Sequence, residues 1–328
     1  MNTKKLCEFA LGLGFAFAAP LAAAQEVTLR GISTFNPGTT YSVHFESFIQ
    51  RVNERGKGQV QIRYVGGGGK VMDPFEMGGA LRGGVVDIGN LSGTFSTNII
   101  PEADALKMIT TTVSADRGGE VIRLLNEIYA KRSNARIIGR QKTLVPFHLY
   151  LNKKISGMDL KGLKLRVTPI YAPFFAAMGA TGVRIAPGEI FTALERGVVD
   201  GYGWPLQGIF DLGWQEATKM RVDPGFYSSV VELVVNLNSW NALNTSQRAI
   251  LEESAAWMEK TGDQADRELN KSDDERQRKQ GIQVLTLQGE ERAKYLKLAD
   301  DSAWDAILKA CPEYGPRLRQ LATKSVSQ

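Results

Sequence analysis

The chain of 328 residues is poor in the side chains on which most catalysis depends. It has two cysteines, Cys7 and Cys311, and two histidines, His44 and His148. Neither histidine stands in a metal-ligand cluster or at a recognisable spacing from a nucleophilic serine. No stretch after the N-terminal region reaches the length of a membrane-spanning helix. Charge of one sign is scarce too. The formal net charge is +5, and the KR-rich stretch "DDERQRKQ" at 273–280 combines its bases with acids as a solvated helix face does. Nothing here has the footprint of a nucleic-acid binder. The glycine run "GGGGK" at 66–70 fails as a phosphate loop: the residue five before Gly69 is Tyr64, and Lys70 is followed by valine. It reads as a flexible turn.

The first 24 residues carry two lysines, an apolar run and small residues before a polar start, the three-part layout of a secretory signal. Cleavage is expected after Ala24. A lipoprotein would need its cysteine at that site, and Cys7 lies too early. Cys7 then leaves with the signal, Cys311 is the remaining cysteine, and no internal disulfide can form. Loss of Lys4, Lys5 and Glu8 lowers the charge from +5 to +4. The expected product is exported, soluble and held together by a full-sized core, which roughly 300 residues can supply.

What is present has the rhythm of an α/β protein. "EVTLRGIS" alternates as a strand. In "YSVHFESFIQRVNERG" the apolar positions Val43, Phe45, Phe48, Ile49 and Val52 recur at helical spacing, and Gly56 supplies a stop. "QVQIRYV" is a second strand, completing β–α–β. Further on, Asn244 or Thr245 caps one long helix that runs without proline to about residue 280. It is followed by the strand "IQVLTL" and a final helix over 290–315. An internal echo links "ALRGGVVD" at Ala80 with "ALERGVVD" at Ala193, identical at six of eight positions. Each half reads as a helix end, a glycine cap and a buried strand. The expectation is that Asp87 and Asp200 end their strands facing a shared cleft, with "IGNLSGTF" and "GYGWPLQ" just beyond as binding loops.

"KLRV" at 164–167 is a short strand carrying an arginine between apolar neighbours. Arg166 either lies on a solvated face or is held in a cleft to meet an anion. Tyr171, Phe174 and Phe175 follow it, and Tyr202 and Trp204 follow the second echo. A planar guanidinium among aromatic walls suits a small organic acid, because arginine can make two parallel hydrogen bonds to a carboxylate. His148 alternates with Phe147 and Leu149, so it shares the polar side of its strand with Tyr150 and Asn152, where it can line a cleft or be structural.

The run "DLKGLKLRV", followed by "MGATGVRIAPGEIFTALERGVVDGYGWP", resembles the substrate-binding proteins of TRAP transporters, the DctP-type family. The resemblance extends over the mature chain, from "GISTFNPGTTYSVHFESFIQRVNE" to the long C-terminal helix. It implies a two-lobed α/β periplasmic-binding-protein-like fold with an interlobe cleft, bridging strands and that helix. The implied boundaries are 1–24 for the signal, 25–146 plus about 230–268 for lobe I, and 147–229 plus about 269–328 for lobe II. It implies capture of a small organic acid in the periplasm and delivery to the transporter's membrane subunits; no cofactor and no metal-ligating residue is identified in the sequence, although a metal ion accompanies the ligand in some members of the family. By the same resemblance Arg166 pairs with the ligand carboxylate. The loop from Asn90 to Phe95 presents Ser92 to the ligand, and the opening loop, Ser33 to Asn36, contributes Ser33 and Phe35. Two departures stand out. Trp204 occupies a position that is often polar in the family, and Phe147 and His148 stand about where a second arginine is often found. Both trade polar for aromatic contacts and predict an aromatic or branched monocarboxylate, with Trp204, Tyr171 and His148 shaping the pocket. The competing readings are an exported enzyme using His148 as general base, and a ligand-sensing partner of a receptor.

Overall fold

The computed structural model describes residues 26–325; the signal expected at 1–24 lies outside them. Ten strands are joined in one continuous network. They are β1 (Val27–Ser33), β2 (Val60–Gly67), β3 (Ile88–Leu91), β4 (Ala135–Leu151), β5 (Lys164–Val167), β6 (Thr181–Arg184), β7 (Gly201–Pro205), β8 (Met220–Asp223), β9 (Ser228–Asn236) and β10 (Gln283–Thr286). The order is β2-β1-β3-β9-β4-β7-β5-β6, with β8 pairing β4 and β10 beyond it. The long strand β4 makes the crossing between lobes. Its first part pairs antiparallel with β9 and its last five residues with β7. The crossing is irregular: the β4–β9 register shifts between Gln141 and Val145, and Lys142 and Leu144 take left-handed φ values of 64° and 58°. Such values are uncommon outside glycine and mark a bent, over-determined backbone.

The N-terminal β–α–β unit forms as its pattern predicts. The helix Val43–Arg55 buries Phe45, Phe48, Ile49 and Val52 against the sheet and stops at Gly56, whose amide donates to Val52 O. A side chain at Gly56 would place its Cβ 2.2 Å from Val60 O, so the tight return into β2 needs glycine. The helix Thr245–Lys279 is capped by Asn244, with Gln247 answering in a reciprocal capping box. At about 1.5 Å per residue it is some 50 Å long, enough to run beside both lobes. Its N-terminal half packs on lobe I through Leu251, Ala255 and Met258.

Two expectations need correction. The C-terminal segment does not stay with lobe II. The helix Gly289–Ala310 begins there, with Tyr295, Ala299 and Ala303 against Phe174. Its end and the helix Gly315–Ser325 return to lobe I, where Trp304, Ile307, Cys311, Leu318 and Leu321 join the core around Leu106 and Leu125. Nor do Asp87 and Asp200 face the cleft. Each lies at the entry to its strand rather than the exit. Asp87 Oδ2 accepts from Arg30 N at 2.7 Å, and Asp200 Oδ2 from Lys164 N at 2.8 Å. Their amides return bonds to Arg30 O and Lys164 O. The echo is thus one structural joint used once in each lobe, and the cavity-lining residues Ser92 and Trp204 lie at the other ends of β3 and β7.

Candidate functional site

Arg166 is fully buried on β5, in register with Val183 of β6 and Tyr202 of β7. Its Nε donates to Ile185 O at 2.9 Å and its Nη1 to the Tyr171 hydroxyl at 2.6 Å. That hydroxyl donates in turn to Gly203 O at 2.8 Å, which fixes its remaining lone pair towards the guanidinium. Gly203 is needed for this arrangement, since a Cβ there would stand 2.6 Å from the Tyr171 ring. Nη2 has no hydrogen-bond partner within the protein. The guanidinium carbon lies 5.6 Å from the Trp204 ring centroid. Burial pushes the Arg166 pKa down, and only the Tyr171 hydroxyl acts in the other direction. The side chain nevertheless stays charged, because arginine is not deprotonated in proteins.

The other buried cations among the described residues each face a carboxylate. Lys107 meets Asp104 at 2.8 Å, Arg140 meets Asp116 at 3.2 Å and Lys142 meets Asp266 at 2.6 Å. Arg221 meets Asp223 at 2.9 Å. Arg166 alone among them holds a charge that the protein does not neutralise. A buried unpaired charge is costly unless something outside the chain compensates it.

A cavity of about 20 Å³ opens beside it, room for one or two water-sized groups. Lobe I contributes Phe35, Tyr41, Ser92 and Phe95, and lobe II contributes Arg166, Thr168, Tyr171 and Trp204. Phe147 and Ser229, at the crossing of β4 and β9, close the remaining side. Three residues, Phe35, Tyr41 and Trp204, also line a larger cavity of about 450 Å³ further out in the cleft. This outer space is bordered by Gly68, Lys70 and Asp73 on one lobe and by Glu189 and Asp211 on the other. The lobes touch across it, with Thr40 N donating to Asp211 Oδ2 at 2.8 Å.

The structure brings Arg166, Tyr171, Trp204, Ser92 and Phe35 together around that inner cavity. It does not bring Asn90, Ser33 or His148 there. Asn90 is buried one layer behind, donating to Ser33 Oγ at 2.9 Å and Tyr41 O at 2.8 Å, so it and Ser33 hold the loops that carry Tyr41 and Ser92. His148 is buried with Nδ1 2.9 Å from Val222 O and 3.0 Å from Asp223 Oδ1. Its strand face is the expected one, but the end of β8, Val222 and Asp223, captures the ring. Sequence reasoning missed Tyr41, Thr168 and Ser229, while Phe95 lies at the end of the loop it marked. For Thr168 a signal existed: it lies two residues beyond Arg166, hence on the same side of an extended chain.

The loop bearing Ser92 is held from behind. Gly93 N donates to Glu232 Oε2 at 3.0 Å, and the Tyr129 hydroxyl donates to Glu232 Oε1 at 3.3 Å. Burial pushes the Glu232 carboxyl up to about 7. No group of three or more His, Cys, Asp or Glu residues able to hold a metal ion occurs among the described residues. No helix among them is long and apolar enough to cross a membrane.

The model of the DctP family, bacterial extracellular solute-binding protein family 7, matches residues 147–310, half of the chain. The chain belongs to this family. A monocarboxylate 2-oxoacid-binding periplasmic protein of Nostoc sp. is 26% identical over 212 residues, which are 60% of this chain and 57% of that protein. The chain therefore spans little more than half the length of this relative. A TRAP periplasmic solute-binding protein of Desulfovibrio salexigens with bound orotic acid superposes with a TM-score of 0.83 at 22% identity, covering 92% of this chain and 98% of the other. A Bordetella pertussis extracytoplasmic solute receptor binding pyroglutamic acid gives 0.77 at 17% identity, covering 90% and 99%. At these identities the two structures establish the two-lobed fold of the family-7 proteins for this chain, and the fold alone.

Proposed function

We propose that this family-7 protein captures a small organic monocarboxylate in the periplasm and delivers it to the membrane subunits of a TRAP transporter. The observation that carries the reading is Arg166: fully buried, charged, unmatched by any carboxylate and with Nη2 free beside a cavity. The surrounding aromatic rings favour a ligand with an apolar or flat body over one studded with hydroxyls. A second carboxylate would find no second cation in the inner cavity, and in the outer one it would meet three carboxylates, Asp73, Glu189 and Asp211, against the single cation Lys70. The names of the relatives support an organic acid, since they include 2-oxoacids, orotic acid and pyroglutamic acid as well as malonate and L-galactonate; the apolar body rests on the aromatic rings alone. Binding works by closure: the ligand stabilises the closed lobes through contacts available only there. We propose no catalytic role. His148, the one candidate base, is bound to Val222 and Asp223 rather than facing the cavity.

The test is a thermal-melt screen of the mature protein against benzoates, branched and keto acids, dicarboxylates, sugar acids and pyroglutamate, with neutral amides as controls. A ligand at 100 times its dissociation constant adds about 2.7 kcal/mol of stability. Monocarboxylates shift the melt and their amides do not. A response confined to dicarboxylates or sugar acids would refute the apolar-body reading, and equal shifts with acid and amide would refute carboxylate capture.

A further inference from the structure

Three residues of the inner cavity carry buried polar atoms with no hydrogen-bond partner within the protein: Arg166 Nη2, Thr168 Oγ1 and Trp204 Nε1. The three side chains are 0%, 1% and 7% exposed. Their common placement follows from the sheet. Arg166 of β5 is paired with Tyr202 of β7, so Thr168 and Trp204, each two residues further on, lie beside one another on the same face at the carboxyl ends of parallel strands. Unpartnered buried groups are few in native proteins, and three around one cavity call for a common cause.

A carboxylate accounts for two of them. Its oxygens fill a cavity of this size, accepting from Arg166 Nη2 and from the Thr168 hydroxyl, which can also rotate to suit. The indole is different. Trp204 lines both the inner and the outer cavity, at the passage between them, where the carbon next to the carboxylate must lie. An indole N–H only donates, so it needs an acceptor there. Resting on the carboxylate reading above, we infer that Trp204 is the specificity-determining residue of this site, beside a carboxylate clamp made by Arg166 and Thr168, and selects monocarboxylates bearing an oxygen on carbon 2, a 2-oxo or 2-hydroxy acid. An unsubstituted acid leaves the indole N–H buried and unmet. A 2-amino acid presents an ammonium, itself a donor, to a group that cannot accept. Sites built to hydrogen-bond a substituent discriminate strongly against analogues lacking it.

Titration calorimetry on two skeletons, 3-methylbutanoate and 3-phenylpropanoate, decides this. Each is offered as the 2-oxo, 2-hydroxy, 2-amino and unsubstituted acid to the parent, Trp204→Phe, Thr168→Val and Arg166→Met, all checked for unchanged folding by melting. The parent binds the 2-oxo or 2-hydroxy acid at least about 10-fold more tightly than the unsubstituted one, and the 2-amino acid least. Trp204→Phe keeps the ring but erases that preference, Thr168→Val weakens all acids alike, and Arg166→Met binds none. If substituted and unsubstituted acids bind the parent equally while Arg166→Met still abolishes both, the inference falls and the carboxylate reading stands. Equal weakening of every acid by Trp204→Phe would likewise reduce Trp204 to a wall. Binding by Arg166→Met, or by no acid on either skeleton, would bring down both.

Discussion

Two arginines of lobe II are buried to nearly the same degree and treated in opposite ways. Arg221 on β8 spends every face of its guanidinium inside the protein: both Asp223 oxygens at 2.9 Å, Gln277 Oε1 at 2.9 Å and Asp274 on the long helix. Those partners outweigh desolvation and push its pKa up, while that of Arg166 is pushed down. Arg166 has a main-chain carbonyl, a phenol and an idle Nη2. The first is a brace between strand and helix. The second is a charge held ready, its compensation left to something that enters the cleft. Burial alone does not separate a structural ion from a binding one; the identity of its partners does.

The largest expected effect is on binding. Arg166→Ala removes the carboxylate partner and costs a few kcal/mol of ligand affinity, about 100-fold or more, as calorimetry reads it. Arg166→Lys is impaired as well, since an ammonium cannot reproduce the planar fork. Neither change lowers the ligand-free melting temperature appreciably, because a buried uncompensated charge is being removed or softened. Arg221→Ala shows the reverse. Stranding Asp223 and Asp274 costs about 3 kcal/mol or somewhat less, given their partial exposure, read by denaturant unfolding. The ligand affinity of the fraction that folds changes little. Effects of similar sign from the two arginines would break the comparison.

A third buried cation sharpens it. Lys142 sits in the irregular crossing of β4, with Nζ 2.6 Å from Asp266 on the long helix and 3.0 Å from Gln207 Oε1. Lys142→Met leaves Asp266, itself 2% exposed in its side chain, without its closest cation. We expect a loss of about 3 kcal/mol of stability in denaturant unfolding.

The smallest effect concerns pH. The folded Glu232 carboxyl titrates at about 7, above its ordinary value of 4.5, so the folded chain keeps that proton longer than the unfolded chain does. Between those values stability therefore falls as pH rises, the opposite of the depressed carboxyl of Asp223, whose contribution is lost only in acid as pH falls through its lowered folded value. Glu232→Gln should flatten the decline between about pH 5 and pH 7 in a series of thermal melts. An unchanged slope would show that another group sets it.

Much of the fold was legible because it depends on local pattern. Alternation marked β1, β2 and β5, helical spacing with a stop at Gly56 marked the first helix, and a capping residue at Asn244 or Thr245 marked the start of the long one. The echo was legible as a repeated joint, but its direction was not, because only the pairing of Asp87 with Arg30 and of Asp200 with Lys164 shows which end of the strand each occupies. His148 was misplaced for a similar reason: period two gave its face, and a strand some seventy residues later supplied its partners. The return of Trp304 and Leu318 to lobe I was invisible, since an apolar helix face does not say which core it joins. In the site, Arg166 stood out as a charge in an apolar strand. Tyr41 and Ser229 come from loops and strand ends whose meeting point is decided by tertiary structure.

The most direct measurement is a paired titration of the best acid from the melt screen into the parent and Arg166→Met, with the ligand-free melts of both recorded alongside. The account predicts saturable binding to the parent, none to the variant, and a variant that melts no lower than the parent. A variant that binds like the parent, or one that unfolds well below it, would mean that the Arg166 charge belongs to the fold and not to the ligand.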